Sequence, residues 1–360
     1  MRADPLNTPV QMGTFAAALR PYRLSLTIAL LFCLTGQLVA MARGDSFTVD
    51  IAGYLKVFGL FTPLLAIAWL VVMFLHMLLV TRPASPLRAY GLLLKDIFLN
   101  PARWHTALPF LVIIMLLNAT YVYFKARIPM VLPFSWDVEL TRWDRLLHGG
   151  TLPWEWLQMV FGYPIVTFIL SFIYYAWFVI MISAWLCFAF TRNERAPRQR
   201  FLLAFVLNWM IGGSLLATLF SSAGPCYFDR VVDGLNPYAG LMDYLYFVHE
   251  HVAVIWALPL QEQLWSTHAG ADGDLAGISA MPSMHVATTT LLMFAAWRVN
   301  RRLGYAGLLF LLAILIGSVH LGWHYAVDGY VSIVLATGFW WLSGRLLGRY
   351  DDGACVIRNA

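Results

Sequence analysis

The sequence predicts an all-α integral membrane protein. Of its 360 residues, 60% are hydrophobic and 12% are charged, whereas soluble domains carry about 25% charged residues. The apolar residues form long uninterrupted runs, and runs of about 20 such residues cross a bilayer as helices because a helix satisfies its own backbone in hydrocarbon. Fifteen Trp and sixteen Tyr suit the aromatic belts at membrane–water interfaces. A soluble fold is excluded.

Eight spanning helices are expected along the chain. They are predicted at 24–42, 57–80, 107–124, 159–190, 201–222, 282–297, 303–321 and 326–347. The segment before the first span shows no obvious small-residue cleavage site, so this span is expected to remain in the membrane and not to be a signal peptide. The fourth span is too long for one straight crossing, and Gly162 and Pro164 should mark its interfacial start.

The distribution of basic residues predicts the orientation. Arg and Lys gather in the N-terminal segment, in the loops after the second, fourth and sixth spans, and in the C-terminal tail. The positive-inside rule places these segments and both termini in the cytoplasm, with the long loops 125–158 and 223–281 outside. The expected location is the cell (inner) membrane with these loops in the periplasm, or in the lumen of a eukaryotic organelle. Because the basic clusters are scattered, nucleic acid is not an expected partner.

Two stretches of the second outer loop are candidates for helices that lie in the outer interface. Residues 244–247 and 256–259 are rich in aromatic and apolar side chains. Such stretches suit a site that admits lipid from the side, although ordinary connecting structure is an equal alternative. The four cysteines have no CxxC spacing, so no structural disulfide is expected.

Polar residues in spanning helices are costly and are therefore candidates for function. In the last third of the chain they gather at one membrane level. Ser283 and His285 lie in the first turn of the sixth span, His320 ends the seventh, and His324 and Asp328 lie at the start of the eighth. By the expected topology this level is the outer face.

The spacing of these residues suits phosphoryl-group chemistry. His324 and Asp328 are four apart, so on a helix their side chains share a face and can hydrogen-bond. An Asp that binds one imidazole nitrogen leaves the other free as a nucleophile. The N–H groups that begin the sixth span, with the Ser283 hydroxyl, form a natural phosphate cradle. His285, one turn into that helix, can protonate the leaving oxygen.

Two other interpretations of the histidines are open at this point. A single histidine in a membrane helix is often a packing or helix-bridging residue. His320 and His324 are also spaced as a metal-binding pair, but no further carboxylate or cysteine ligand follows at convincing spacing. No metal is therefore expected.

The two motifs together resemble a known family. Pro-Ser-x-His followed some forty residues later by His-x-x-x-Asp is similar to the type 2 phosphatidic acid phosphatase superfamily. Within it, the chain looks most like the inositol phosphorylceramide synthase (aureobasidin-resistance) branch and its bacterial relatives. The supporting segments are 222–227, 280–285 and 320–328.

The resemblance implies a six-helix catalytic core at 105–347, preceded by a two-helix extension with a cytoplasmic linker (1–104) and followed by a cytoplasmic tail (348–360). It also implies a phosphohistidine intermediate. In that scheme His324 attacks phosphorus, Asp328 orients it and His285 protonates the departing alcohol. Water or an acceptor alcohol then takes the phosphoryl group, without metal or organic cofactor.

The chain departs from the phosphatase branch in its basic residues. No Lys-x6-Arg-Pro motif occurs on the outer side, Gly317-Ser318 stands where that branch has Ser-Arg, and Met284 replaces the usual Gly. Phosphate charge must therefore be balanced by other groups. The candidates, each of which could instead be a snorkelling side chain, are Lys125, Arg127, Arg142, Arg145 and Arg230, with His320 contributing if protonated.

These observations predict an enzyme that moves a phosphoryl or phospho-head-group between membrane lipids. Hydrolysis of a lipid phosphate, such as phosphatidate or polyprenyl phosphate, is the close alternative because both reactions share their first half. A transporter or non-catalytic scaffold is the rival class. Transporters favour broken helices near the midplane and internal repeats, whereas here the polar cluster lies at one face and no repeat is visible.

Overall fold

The computed structural model describes residues 19–45, 77–191, 198–270 and 277–351, with isolated positions between 46 and 76. This part of the chain is helical throughout, and six of its helices are long and apolar enough to cross a membrane. The predicted all-α membrane class is therefore confirmed. Most of the predicted second span, 57–80, lies outside the described residues.

The helices follow one another with short connections. In chain order they are α1 (Arg23–Arg43), α2 (Pro86–Leu99), α3 (Pro101–Lys125), α4 (Ile128–Val131), α5 (Asp137–Leu147), α6 (Pro153–Phe161), α7 (Pro164–Phe190), α8 (Arg198–Leu207), α9 (Ala217–Leu219), α10 (Phe228–Val231), α11 (Ala239–His251), α12 (Ala257–His268), α13 (Met284–Val299), α14 (Arg301–His320) and α15 (Ala326–Asp351). A π-helical segment, Asn208–Leu216, joins α8 to α9, and a π-helical turn, Met77–Thr81, precedes α2.

Two predicted spans differ from the observed helices. The fourth is broken into α6 and α7 at Gly162, and Pro164 is the first residue of α7. At that position a backbone N–H would have no acceptor within the helix, so proline costs no hydrogen bond. The sixth is α13, which has only 16 residues. At 1.5 Å per residue it is about 24 Å long, short of the roughly 30 Å hydrocarbon core. Six of the eight predicted spans therefore correspond to helices long and apolar enough to cross, the sixth is this shorter helix, and the second lies largely outside the described residues.

The helix α13 lies at the centre of the bundle and packs against α14, α15 and α8. Its residues 286–291 are all buried, as are residues 201–207 of α8. The first helix belongs to the same packed body, because Phe32 of α1 stacks on Phe124 of α3 with ring centroids 5.3 Å apart. The Pro-Ser-x-His motif therefore begins a buried helix rather than a surface one.

Short helices form the end of the bundle where the motifs lie. The stretches 244–247 and 256–259 fall in α11 and at the start of α12. Both dock on α7: Tyr244 Oη lies 2.9 Å from Thr167 Oγ1, and Tyr175 donates a hydrogen bond of 2.6 Å to the Trp256 carbonyl. These two stretches are thus helical and fixed to a spanning helix.

Candidate active site

A cavity of about 330 Å³ brings the two sequence motifs together. His285 and His324 both line it, and Lys125 lines it from the end of α3. Its other walls are mainly aromatic and include Tyr121, Tyr174, Trp177, Phe178, Trp209, Tyr227 and Trp323. The two predicted catalytic histidines therefore share one space with a basic side chain.

Main-chain geometry sets the tautomer of His324. Its Nδ1 lies 2.8 Å from the carbonyl oxygen of Ala280, which can only accept, so Nδ1 carries the proton and Nε2 keeps a free lone pair. The Ala280 segment is itself fixed, because Ser222 accepts the Ala280 N–H at 2.9 Å and the Met281 N–H at 3.1 Å. Burial lowers the pKa of His324, so the ring is neutral. This is the form of imidazole that acts as a nucleophile.

Asp328 lies close to His324 but is not its nearest partner. Its Oδ2 is 3.4 Å from His324 Nδ1 and accepts the Tyr325 N–H at 3.0 Å. The Ala280 carbonyl is closer to the same imidazole nitrogen. Asp328 therefore fixes the turn that carries His324, and it shares the orientation of the ring with the main chain. The main-chain acceptor is thus an addition to the carboxylate that was expected to orient this ring.

Aromatic rings hold His285. It stacks on Tyr174 with centroids 4.6 Å apart and an interplanar angle of 19°, and Trp177 lies at 4.2 Å. Its ring centroid is 6.5 Å from that of His324. Both imidazoles line the same cavity.

The structure places Ser283 and His320 behind the cavity wall. Ser283 is fully buried and caps α13, its hydroxyl accepting the Val286 N–H at 3.5 Å. His320 is fully buried as well, with Nε2 2.9 Å from Thr167 Oγ1. Neither side chain is among those that line the cavity. Their contact with phosphate stays a prediction.

Of the five basic candidates, Lys125 is the one that the structure brings to the cavity. Arg127 pairs with Asp45 at 2.9 Å, and Arg230 pairs with Glu262 at 2.6 Å. The other two, Arg142 and Arg145, are exposed on α5. Lys125 is thus the basic candidate that shares a cavity with both histidines.

Two buried carboxylates on α5 hold the catalytic turn, and sequence reasoning missed both. Asp144 accepts the N–H groups of Ala326 and Val327 at 2.8 and 2.9 Å, so it caps the start of α15. Burial raises the pKa of Asp144 to about 6 while these two bonds oppose the rise, so the carboxylate is mainly ionised at pH 7. Its negative charge suits the positive end of the α15 dipole.

Asp137 binds the neighbouring loop in the same way. It accepts the N–H groups of Ala223 and Gly224 at 3.0 and 2.8 Å and the Tyr325 hydroxyl at 2.7 Å. Tyr325 directly follows His324, so the two carboxylates of α5 together hold residues 325–327, the segment immediately after His324. A signal was available in the sequence: carboxylates seven residues apart share one face of a helix.

The comparisons with known proteins agree with this site. The sequence model of the PAP2 superfamily matches residues 138–342, more than half of the chain, and this range contains both motifs. Lys125 lies before it. No curated protein and no solved structure matched the chain. The chain belongs to the PAP2 superfamily and is a multi-pass membrane enzyme of the lipid phosphatase and phosphotransferase kind.

Proposed function

We propose that this enzyme transfers a phosphoryl or phospho-head-group between lipids through a phosphohistidine at His324. The observation that carries the proposal is the neutral His324 with a free Nε2 in a cavity that also contains His285 and Lys125. The site faces outward, in keeping with the basic residues of the opposite loops. The resemblance of the two motifs supports a place in the inositol phosphorylceramide synthase-like branch.

The first half-reaction forms one bond and breaks one. Nε2 of His324 attacks phosphorus, and the bond from phosphorus to the oxygen of the leaving lipid alcohol breaks. His285 acts as an imidazolium, whose charge the bound phosphate stabilises; it gives its proton to that oxygen and becomes neutral, so the alcohol leaves neutral. Lys125 offsets the negative charge of the phosphoryl oxygens, which a low-dielectric cavity would otherwise strongly disfavour.

The second half-reaction reverses these roles. An acceptor hydroxyl loses its proton to His285, its oxygen attacks phosphorus, and the phosphorus–nitrogen bond to His324 breaks. The apolar, aromatic walls of the cavity favour a lipid alcohol over water as the acceptor. This is why we propose transfer in preference to hydrolysis.

Replacing Lys125 by Met should lower kcat/KM by about 100-fold or more, because the transferring phosphate loses its charge partner. Lys125→Arg should retain much of the activity, since it restores the positive charge. Arg142→Met is the matched control, a basic residue on the surface of α5, and should leave turnover unchanged. Equal rates for the wild type and Lys125→Met would assign the phosphate contact to another group.

A direct test of the function uses purified protein in vesicles with labelled lipid phosphates and head-group donors. Free phosphate and new lipid species are measured in the same samples. We expect a new phospholipid or phosphosphingolipid when an acceptor alcohol is present, with little free phosphate. Rapid release of phosphate that is insensitive to added acceptor would identify a phosphatase instead.

A further inference from the structure

We infer that the lower part of the cavity is a slot for one acyl chain, which opens to the bilayer between α3 and α7. This inference rests on the proposed function, since it concerns how the lipid substrate reaches His324. The residues described so far bind the phosphate part of the lipid, and the slot would bind its hydrocarbon part.

The cavity extends about one helical turn beyond His285, because Met181 lines it one turn past the Trp177 and Phe178 rings that contact this histidine. On α3 its lining residues run from Lys125 back to Asn118, and on α7 they run from Tyr174 to Met181. Seven residues of helix correspond to about 10 Å. A phosphate needs only the upper end, so the remaining depth is available to another part of the substrate.

The lower walls are suited to hydrocarbon. Tyr121 and Trp209 meet edge to face with centroids 4.5 Å apart, and Met181 lines the same region. Two polar groups of these lower walls are paired within the protein: Trp209 Nε1 donates to Thr288 Oγ1 at 3.1 Å, and Asn118 donates to the Ile114 carbonyl at 2.8 Å. A chain without hydrogen-bonding groups leaves neither of these unpaired. The buried Tyr174 Oη and Trp177 Nε1, which have no partner among the described residues, belong to the rings that contact His285.

Two lining residues connect the cavity to the membrane. Val122 on α3 and Phe178 on α7 both line it, yet they are 48% and 44% exposed on helices long and apolar enough to cross a bilayer. The Phe178 ring also lies edge-on to His285 with centroids 5.7 Å apart. One side chain therefore contacts both the proposed acid and the bilayer, and it marks the side opening.

Gly213 helps to keep the slot open. It lines the cavity within the π-helical segment, where a Cβ atom would come within 2.8 Å of the Tyr121 ring and 3.2 Å of Met284 Sδ. Any side chain at this position would push Tyr121 or Met284 aside. The width of the slot therefore depends on the absence of a side chain here.

The test combines cross-linking with kinetics. Phosphatidic acid that carries a photoreactive diazirine in the middle of one acyl chain is irradiated with the full-length protein in vesicles, and the labelled residues are mapped by mass spectrometry. We expect labelling within 118–122 and 174–181. The label should decrease at least fivefold in Val122→Trp, which fills the opening, but not in Val112→Trp, an exposed position on the same helix outside the cavity.

Turnover provides the second measurement. Val122→Trp should raise KM at least tenfold for a long-chain substrate and leave KM for a short-chain, water-dispersed analogue unchanged. Labelling spread over other helices, or labelling unaffected by Val122→Trp, would overturn the slot even if the enzyme is active. Correct labelling without any phosphoryl transfer or release would support the slot and count against the proposed function alone.

Discussion

Replacing His324 by alanine should lower turnover of lipid substrates by about 10⁴-fold or more, since no other group in the proposed scheme forms the bond to phosphorus. The ring contributes the Nε2 lone pair that the Ala280 carbonyl leaves free. Turnover is measured with the substrate found active for the wild type. His251→Ala, which removes an exposed histidine of α11, is the matched control and should retain full activity.

The same variant tests the covalent intermediate. Wild-type protein mixed with labelled donor and quenched should carry an acid-labile, base-stable phosphoryl or phospho-head-group label, as expected for a phosphorus–nitrogen bond. His324→Ala should carry none, while its thermal unfolding midpoint stays close to that of the wild type. Substantial turnover or an unchanged label in this variant would show that another residue is the nucleophile.

Replacing Asp144 by alanine is the second change with a large expected effect. It leaves the buried N–H groups of Ala326 and Val327 without acceptors, at a cost of about 1–3 kcal/mol each. We expect a lower thermal unfolding midpoint in detergent. We also expect a loss in kcat of about 100-fold with a smaller change in KM, because the turn that positions His324 loosens while the cavity that binds lipid remains.

Asp144→Asn separates positioning from bulk stability. The amide oxygen still accepts one N–H, so kcat should recover part of its loss. Glu139→Ala on the exposed side of α5 is the control and should behave as wild type. If Asp144→Ala lowered the unfolding midpoint but the folded fraction kept the wild-type kcat, the carboxylate would stabilise the fold without positioning the nucleophile.

The parts of the site that follow from the sequence are those set by local spacing. His324 and Asp328 are one turn apart, and His285 lies in the first turn of its helix, so short motifs were enough to identify them. The meeting of His285 and His324 in one cavity agrees with the alternation of spans, which brings the relevant helix ends to one end of the bundle. The α-helical membrane class was also predictable from local sequence, because it follows from the long apolar runs.

Other parts depended on contacts between distant segments. Asp144 binds N–H groups more than 180 residues away. The sequence does not distinguish Lys125 from the other four basic candidates. In the structure, two of those four are held in ion pairs, Arg127 with Asp45 and Arg230 with Glu262. The π-helical segment around Gly213 has no reliable sequence signature. The role of the Ala280 carbonyl has no sequence signature either, because every residue carries a main-chain acceptor whatever its side chain.

That carbonyl has a consequence for how the enzyme tolerates mutation. No single substitution removes the main-chain oxygen that accepts a hydrogen bond from His324 Nδ1. Most substitutions at position 280 should therefore leave the tautomer of His324 unchanged. The side chain that substitution can remove is Ser222, whose hydroxyl accepts the Met281 N–H and so helps to hold the segment that carries this oxygen. Random variation should therefore damage the nucleophile more often through this distant serine than through Ala280 itself.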